Sequence, residues 1–140
     1  MSPFSHFLHE LRLRLEIRQA DLAKLVGCEQ SYISALEVGI KGPPTQEFIT
    51  RLIQVLALSP VEQQQLHNAI AGSERKLIID ADTPEDRYWL LKDLRDQFES
   101  LSPVQIRMMR DLLSMKAAIK EELPDPVRRL KRRRKEEATM

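Results

Sequence analysis

Cysteine occurs once, at Cys28, and glycine four times in 140 residues. The first scarcity excludes an intrachain disulfide framework, and the second leaves no Gly-rich loop to cradle a nucleotide phosphate. No apolar run approaches the roughly 20 residues that span a bilayer. The opening residues lack the basic flank, long apolar stretch and small-residue cleavage site of a secretion signal, so a cytoplasmic protein is expected. Alternating apolar and polar residues, the mark of half-buried strands, are nearly missing too. Nor does one charge dominate: 22 Lys and Arg face 21 Asp and Glu. By segment, residues 1–72 carry 6 basic against 7 acidic, 73–122 carry 9 against 11, and 123–140 carry 7 against 3, so the basic excess sits in the last stretch alone.

What is present is helical periodicity. Apolar residues recur at three- and four-residue steps from Phe4 to Ile119, which predicts an all-α chain. A chain of this length holds one compact core, or a core of about 70 residues with a helical extension. The first helix is expected over about Pro3 to Leu15, with Phe4, Phe7, Leu8, Leu11 and Leu15 inward, and the second from Gln19 to Val26, ended by Gly27. A short third helix, Gln30 to Val38, is closed by Gly39. Thr45 caps a fourth, whose buried face is Phe48, Ile49, Leu52, Ile53, Val55 and Leu56. In SPVE, Ser59 is the cap, Pro60 the first-turn proline and Glu62 the capping-box acid of a fifth helix ending near Gly72.

The same start signal returns as SPVQ at Ser102 to Gln105 and reads as reused capping chemistry. Between the two, Thr83 and Pro84 open a helix to about Ser100, with Tyr88, Leu91, Leu94, Phe98 and Leu101 in register. A last helix is expected from Pro103 to about Glu122. It lines up Ile106, Met109, Leu113 and Ala117 beside Met108, Leu112, Met115 and Ile119, a stripe wide enough to suit dimerisation through Ile106, Met109, Leu112, Leu113 and Met115. Leu77, Ile78 and Ile79 form the one run in which a strand could hide. The expected domains are 1–72, a five-helix domain; 73–122, a helical dimerisation region; and 123–140, a basic tail expected to stay mobile.

Gln19 to Leu36 meets the packing demands of a helix-turn-helix. Ala23 is small where two helices approach, Gly27 makes the turn, and Leu22, Val26, Cys28, Ile33 and Leu36 supply apolar contacts. Proline is absent from both helices. An ordinary helical hairpin would not need the outer side of the third helix, with Gln30, Ser31, Tyr32, Ser34 and Ala35, kept polar and uncharged. A helix this short, held by its neighbours, can place that side in a DNA major groove.

QADLAKLVGCEQSYISALEVGIKGPP resembles the phage-repressor, or xenobiotic-response-element, class of lambda-repressor-like helix-turn-helix domains. Ala23, Gly27, Ile33, Ser34, Glu37, Gly39 and Pro43 stand at its marked positions. The resemblance covers about residues 4 to 70 and implies a five-helix domain that binds operator DNA as a dimer. It further implies that Gln19 contacts a phosphate and braces Gln30, and that Gln30 reads adenine. Glu29 departs from the serine cap common in the family.

Physical chemistry leads to the same residues. A glutamine amide pairs bidentately with adenine N6 and N7, so Gln30 is the base reader; Ser31 and Ser34 reach bases or phosphates, and Ala35 meets a thymine methyl. Tyr32 either touches phosphate through its hydroxyl or packs across the helix surface. Glu29 could accept from cytosine N4, although its charge at a helix N-terminus is the simpler role, and Glu37 reads as structural. Arg14, Arg18, Lys24 and Lys41 are the phosphate-binding cations, with Gln19, Thr45 and Gln46 as neutral donors.

Other chemistry is poorly supported. His6 and His9 lie three apart on one helix with no cysteine pair to join them, so a solvated helix face is the better reading than a metal site. Cys28 reads as packed rather than reactive, and Met108, Met109 and Met115 as core or interface. No nucleophile or metal motif accompanies the acids, so neither an enzyme nor a cofactor is expected. KRRRK in the tail suits loose phosphate attraction better than an acidic protein partner or a solubilising charge. The expected function is a sequence-specific regulator, a repressor in preference to an activator, binding a palindromic double-stranded operator as a homodimer. The alternative is an antitoxin-like or adaptor module that holds another protein through its C-terminal helices.

Overall fold

The computed structural model describes residues 1–115. The chain divides into two compact units, Met1–Leu77 and Ile78–Met140, and all regular structure among the described residues is helical.

The first unit contains α1 (Pro3–Arg14), α2 (Gln19–Val26), α3 (Gln30–Val38), α4 (Gln46–Val55) and α5 (Pro60–Ala71). Each start has a chemical cause. Ser2 accepts from the Ser5 backbone N–H and Thr45 from that of Phe48, while Ser59 and Glu62 form the reciprocal capping box written in SPVE. The ends of α2 and α3 are set by Gly27 and Gly39, at φ 82° and 87°, in a left-handed conformation that a Cβ would penalise. Phe4, Leu8 and Leu11, spaced to share one face of α1, pack with Leu22, Ala23 and Val26 of α2, Ile33 and Leu36 of α3, Phe48, Ile49 and Leu52 of α4, and Leu58 and Leu66. Ile33 and Leu36 are completely buried, each contributing about 1.5–3 kcal/mol of transfer free energy. So short a helix holds its place because it packs on both α1 and α2.

Residues 73–77 continue the first unit. The Ser73 hydroxyl donates to the Ala69 carbonyl at 2.6 Å and accepts from the Phe4 N–H at 2.9 Å, satisfying a first-turn donor of α1.

The second unit contains α6 (Glu85–Gln97), a 3-10 turn at Phe98–Ser100, and α7 (Pro103–Ser114). Ser102 and Gln105 form a second complete capping box, so the repeated phrase is one start signal used twice. Neither α6 nor α7 contains a buried residue.

Several expectations need correction. Leu77, Ile78 and Ile79 form no strand. Leu15 and Val55 are substantially exposed, each lying at the end of its helix beyond the last buried residues, Leu11 and Leu52. Pro84 is the N-cap of α6, whose first helical residue is Glu85. The final helix ends at Ser114, and Met115, at ψ 76°, is no longer helical; the expected continuation over 116–122 and the tail 123–140 lie outside the described residues.

Candidate nucleic-acid interface

Whether α3 can read a surface depends on what fixes it. Its inner side carries Ile33 and Leu36, and its last turn carries Glu37, a carboxylate at only 3% exposure. Arg12 of α1 approaches that carboxylate with two donors, Nε to Oε1 at 2.6 Å and an Nη to Oε2 at 3.3 Å. Gln19, the first residue of α2, donates its amide to Oε2 at 2.5 Å, and His9 Nδ1 lies 3.7 Å from the same oxygen. One acid thereby ties α3 to both helices it packs against. Burial alone would raise the Glu37 pKa, but the hydrogen bonds from Arg12 and Gln19 and the nearby positive charge outweigh it and hold the pKa below the ordinary value. Arg12 also donates to the Ile17 carbonyl, bracing the chain between α1 and α2. A second clasp runs from the Ser5 hydroxyl to the Leu36 carbonyl at 2.6 Å.

On the outer side, Gln30 and Ser31 are exposed, and Tyr32, Ser34 and Ala35 half-buried. The Gln30 amide has no hydrogen-bond partner among the described residues, and Ser31 makes only a 3.5 Å contact with Glu29. The implied brace from Gln19 to Gln30 is not formed: Gln19 is committed to Glu37. Tyr32 packs edge-on against Phe48, with ring centroids 5.4 Å apart, and lies under the Lys41 ammonium at 5.5 Å from its centroid. Packing therefore describes the ring, and burial pushes its hydroxyl pKa up. Cys28 sits half-buried at the turn, its thiol likewise raised by burial despite the opposing charge of Arg51, which keeps it neutral near pH 7.

The cations divide into paired and unpaired. Arg14 is engaged by Glu62 at 2.7 Å, whereas Arg18, Lys24 and Lys41 are exposed and make no ion pair among the described residues. Thr45 and Gln46 lie exposed at the start of α4, the threonine hydroxyl already accepting from Phe48 N–H. Ile106, Leu112, Leu113 and Met115 leave much of their apolar surface open, Leu113 being 79% exposed and Leu112 57%, whereas Met109 is half-buried.

Sequence reasoning missed Arg12, Arg51 and Arg75. The Arg51 guanidinium pairs with Glu47 at 2.6 Å and reaches the Val26 carbonyl at 3.5 Å, across the turn from α2 to α3. Its i,i+4 spacing from Glu47 was the available signal. The partner of Glu37, in contrast, is 25 residues away and carries no local signature.

Two short helices joined through a left-handed glycine, with the second clamped inward and polar outward, define a helix-turn-helix domain. Comparison with known families agrees: residues 3–66 match the family model described as a helix-turn-helix domain. No curated protein and no solved structure gave a significant match. Among the described residues no cluster of His, Cys, Asp and Glu could hold a metal ion, and no helix is long and apolar enough to cross a membrane.

Proposed function

We propose that the chain is a sequence-specific double-stranded-DNA-binding transcriptional regulator of the phage-repressor type, acting in the cytoplasm as a homodimer on a palindromic operator. The observation that carries this reading is the disposition of α3: its apolar side and Glu37 are locked inside, while Gln30 is exposed and its amide is engaged by no other described residue. Gln30 reads adenine, Ser31 and Ser34 contact bases or phosphates, and Ala35 meets a thymine methyl. Tyr32 contributes mainly by shaping this surface from its place against Phe48. Arg18, Lys24 and Lys41 bind phosphates directly, with Thr45 and Gln46 at the start of α4. Arg14 joins them by giving up Glu62, an exposed pair of little cost. Gln19 acts chiefly by holding Glu37.

Dimerisation through the C-terminal helices is supported by α6 and α7, which contain no fully buried residue yet expose Tyr88, Trp89, Leu90, Ile106, Met108 and Leu112. Helices of 13 and 12 residues are marginal without tertiary packing. The same surface suits the second reading, in which an antitoxin-like or adaptor protein captures a different partner. Repression is favoured because a dimer seated on a promoter needs no further surface to block it. The test compares Gln30→Ala with Lys41→Ala on a selected operator and its single-base alternatives. Gln30→Ala should cost about 1–3 kcal/mol and relax preference at one base pair per half-site, whereas Lys41→Ala should weaken all sequences alike. Full base preference in Gln30→Ala would favour the adaptor.

A further inference from the structure

The family model stops at residue 66, but the first unit continues to Leu77, and this continuation returns to the recognition helix. Ser73 is pinned at α1 by its two hydrogen bonds. Two residues later the Arg75 guanidinium donates to the carbonyl of Gly39, the residue that ends α3. Ser2, Phe4, Lys41, Gly42, Pro43, Ser73 and Arg75 line one small cleft of about 10 Å³, room for a single water. Lys41 and Arg75 thus flank the same loop after α3.

Both charges remain available. Neither side chain makes an ion pair among the described residues, both residues are exposed, and each is oriented by an uncharged group: the Tyr32 ring for Lys41 and the Gly39 carbonyl for Arg75. Guanidinium has five N–H donors in a fixed fork, so binding one carbonyl leaves donors to spare for a phosphate. A cation needed only to close the helix C-terminus would serve equally well paired with an acid, and Arg75 has no such pair among the described residues.

We propose that Arg75 is a DNA-backbone contact lying outside the matched domain, and that with Lys41 it forms a two-cation clamp on successive phosphates beside the C-terminal end of α3. This rests on the reading of the chain as a DNA-binding protein. The clamp makes residues 73–75 part of the binding surface, so the segment that leaves the domain is held by the DNA it binds.

The experiment uses the full chain and its selected duplex. Arg75→Gln keeps an amide able to donate to Gly39 but removes the charge. It should leave Tm unchanged, weaken all sequences alike, and make the slope of log K against log salt shallower by about 0.9 per bound copy. Raising salt from about 50 to about 200 mM would then cost the variant about 3.5-fold less affinity per copy than it costs the unaltered chain. Arg75→Lys should keep the slope. As a measurement independent of any variant, phenylglyoxal labelling of the unaltered chain, read by mass spectrometry, should show Arg75 protected by the duplex. An unchanged slope in Arg75→Gln, or equal labelling with and without duplex, overturns the clamp while leaving DNA binding intact. Failure of the unaltered chain to bind any duplex overturns both.

Discussion

Arg12→Met tests what holds α3 in place. The substitution keeps most of the apolar stem of a side chain that is 13% exposed and leaves Glu37, at 4% side-chain exposure, with Gln19 and His9 but without its guanidinium. Removing one partner of a buried ion pair costs about 3–5 kcal/mol because the other charge stays desolvated. With two polar partners remaining, the lower end, about 3 kcal/mol, is expected. In a domain of this size that corresponds to a fall in Tm of about 12–24 °C. Calorimetry or denaturant titration of the full chain, following the helical signal, measures it. Arg12→Met combined with Glu37→Met should recover most of the loss, since neither charge then remains buried. A single-variant cost below about 1 kcal/mol would refute the reasoning, because it would mean that water already solvates Glu37.

Acid should act through the same group. Because the folded pKa of Glu37 is depressed, its contribution is fully present above the unfolded carboxylate value and is lost as pH falls through the lower folded value. Tm of the unaltered chain should therefore fall more steeply on acidification than that of Glu37→Gln, and parallel curves would contradict this. Gly27→Ala should destabilise by about 1–2 kcal/mol through its left-handed backbone, since the nearest atom to an added Cβ is Arg51 Nη1 at 3.7 Å and space is not limiting; equilibrium unfolding measures this. A chain stopped after Leu77 should be folded and largely monomeric by sedimentation; a fragment as dimeric as the whole would remove α6 and α7 from the interface. Stopping instead after Gly72 deletes the Ser73 acceptor of the Phe4 N–H, and should lower stability by a further 1 kcal/mol or so.

The first five helices were legible because their signals are local. Thr45 and Ser59 cap, Gly27 and Gly39 terminate, and the spacing of Phe4, Leu8 and Leu11 marks a buried face. The outer side of α3 was legible for the same reason, as a short polar stretch between two glycines. What escaped was long-range. Arg12 looked like any surface arginine of α1 until the fold brought Glu37 beside it, and Arg75 shows nothing in its neighbours to place it at Gly39, 36 residues earlier. Gln19 was singled out, but the partner implied by the resemblance was Gln30, whereas the fold sets its amide on the carboxylate of Glu37, 18 residues away along the chain. In the second unit, periodicity correctly marked apolar faces on α6 and α7. Periodicity shows that a face is apolar, whereas burial also requires a surface to pack against.

On the proposed reading, the outer side of α3 reads DNA sequence as one half of a symmetric pair. Selection of duplexes from a random pool by the full chain tests it most directly. A palindrome should be enriched whose half-sites lose one adenine preference when the selection is repeated with Gln30→Ala. No enriched sequence, or an enriched sequence that Gln30→Ala selects unchanged, would contradict it.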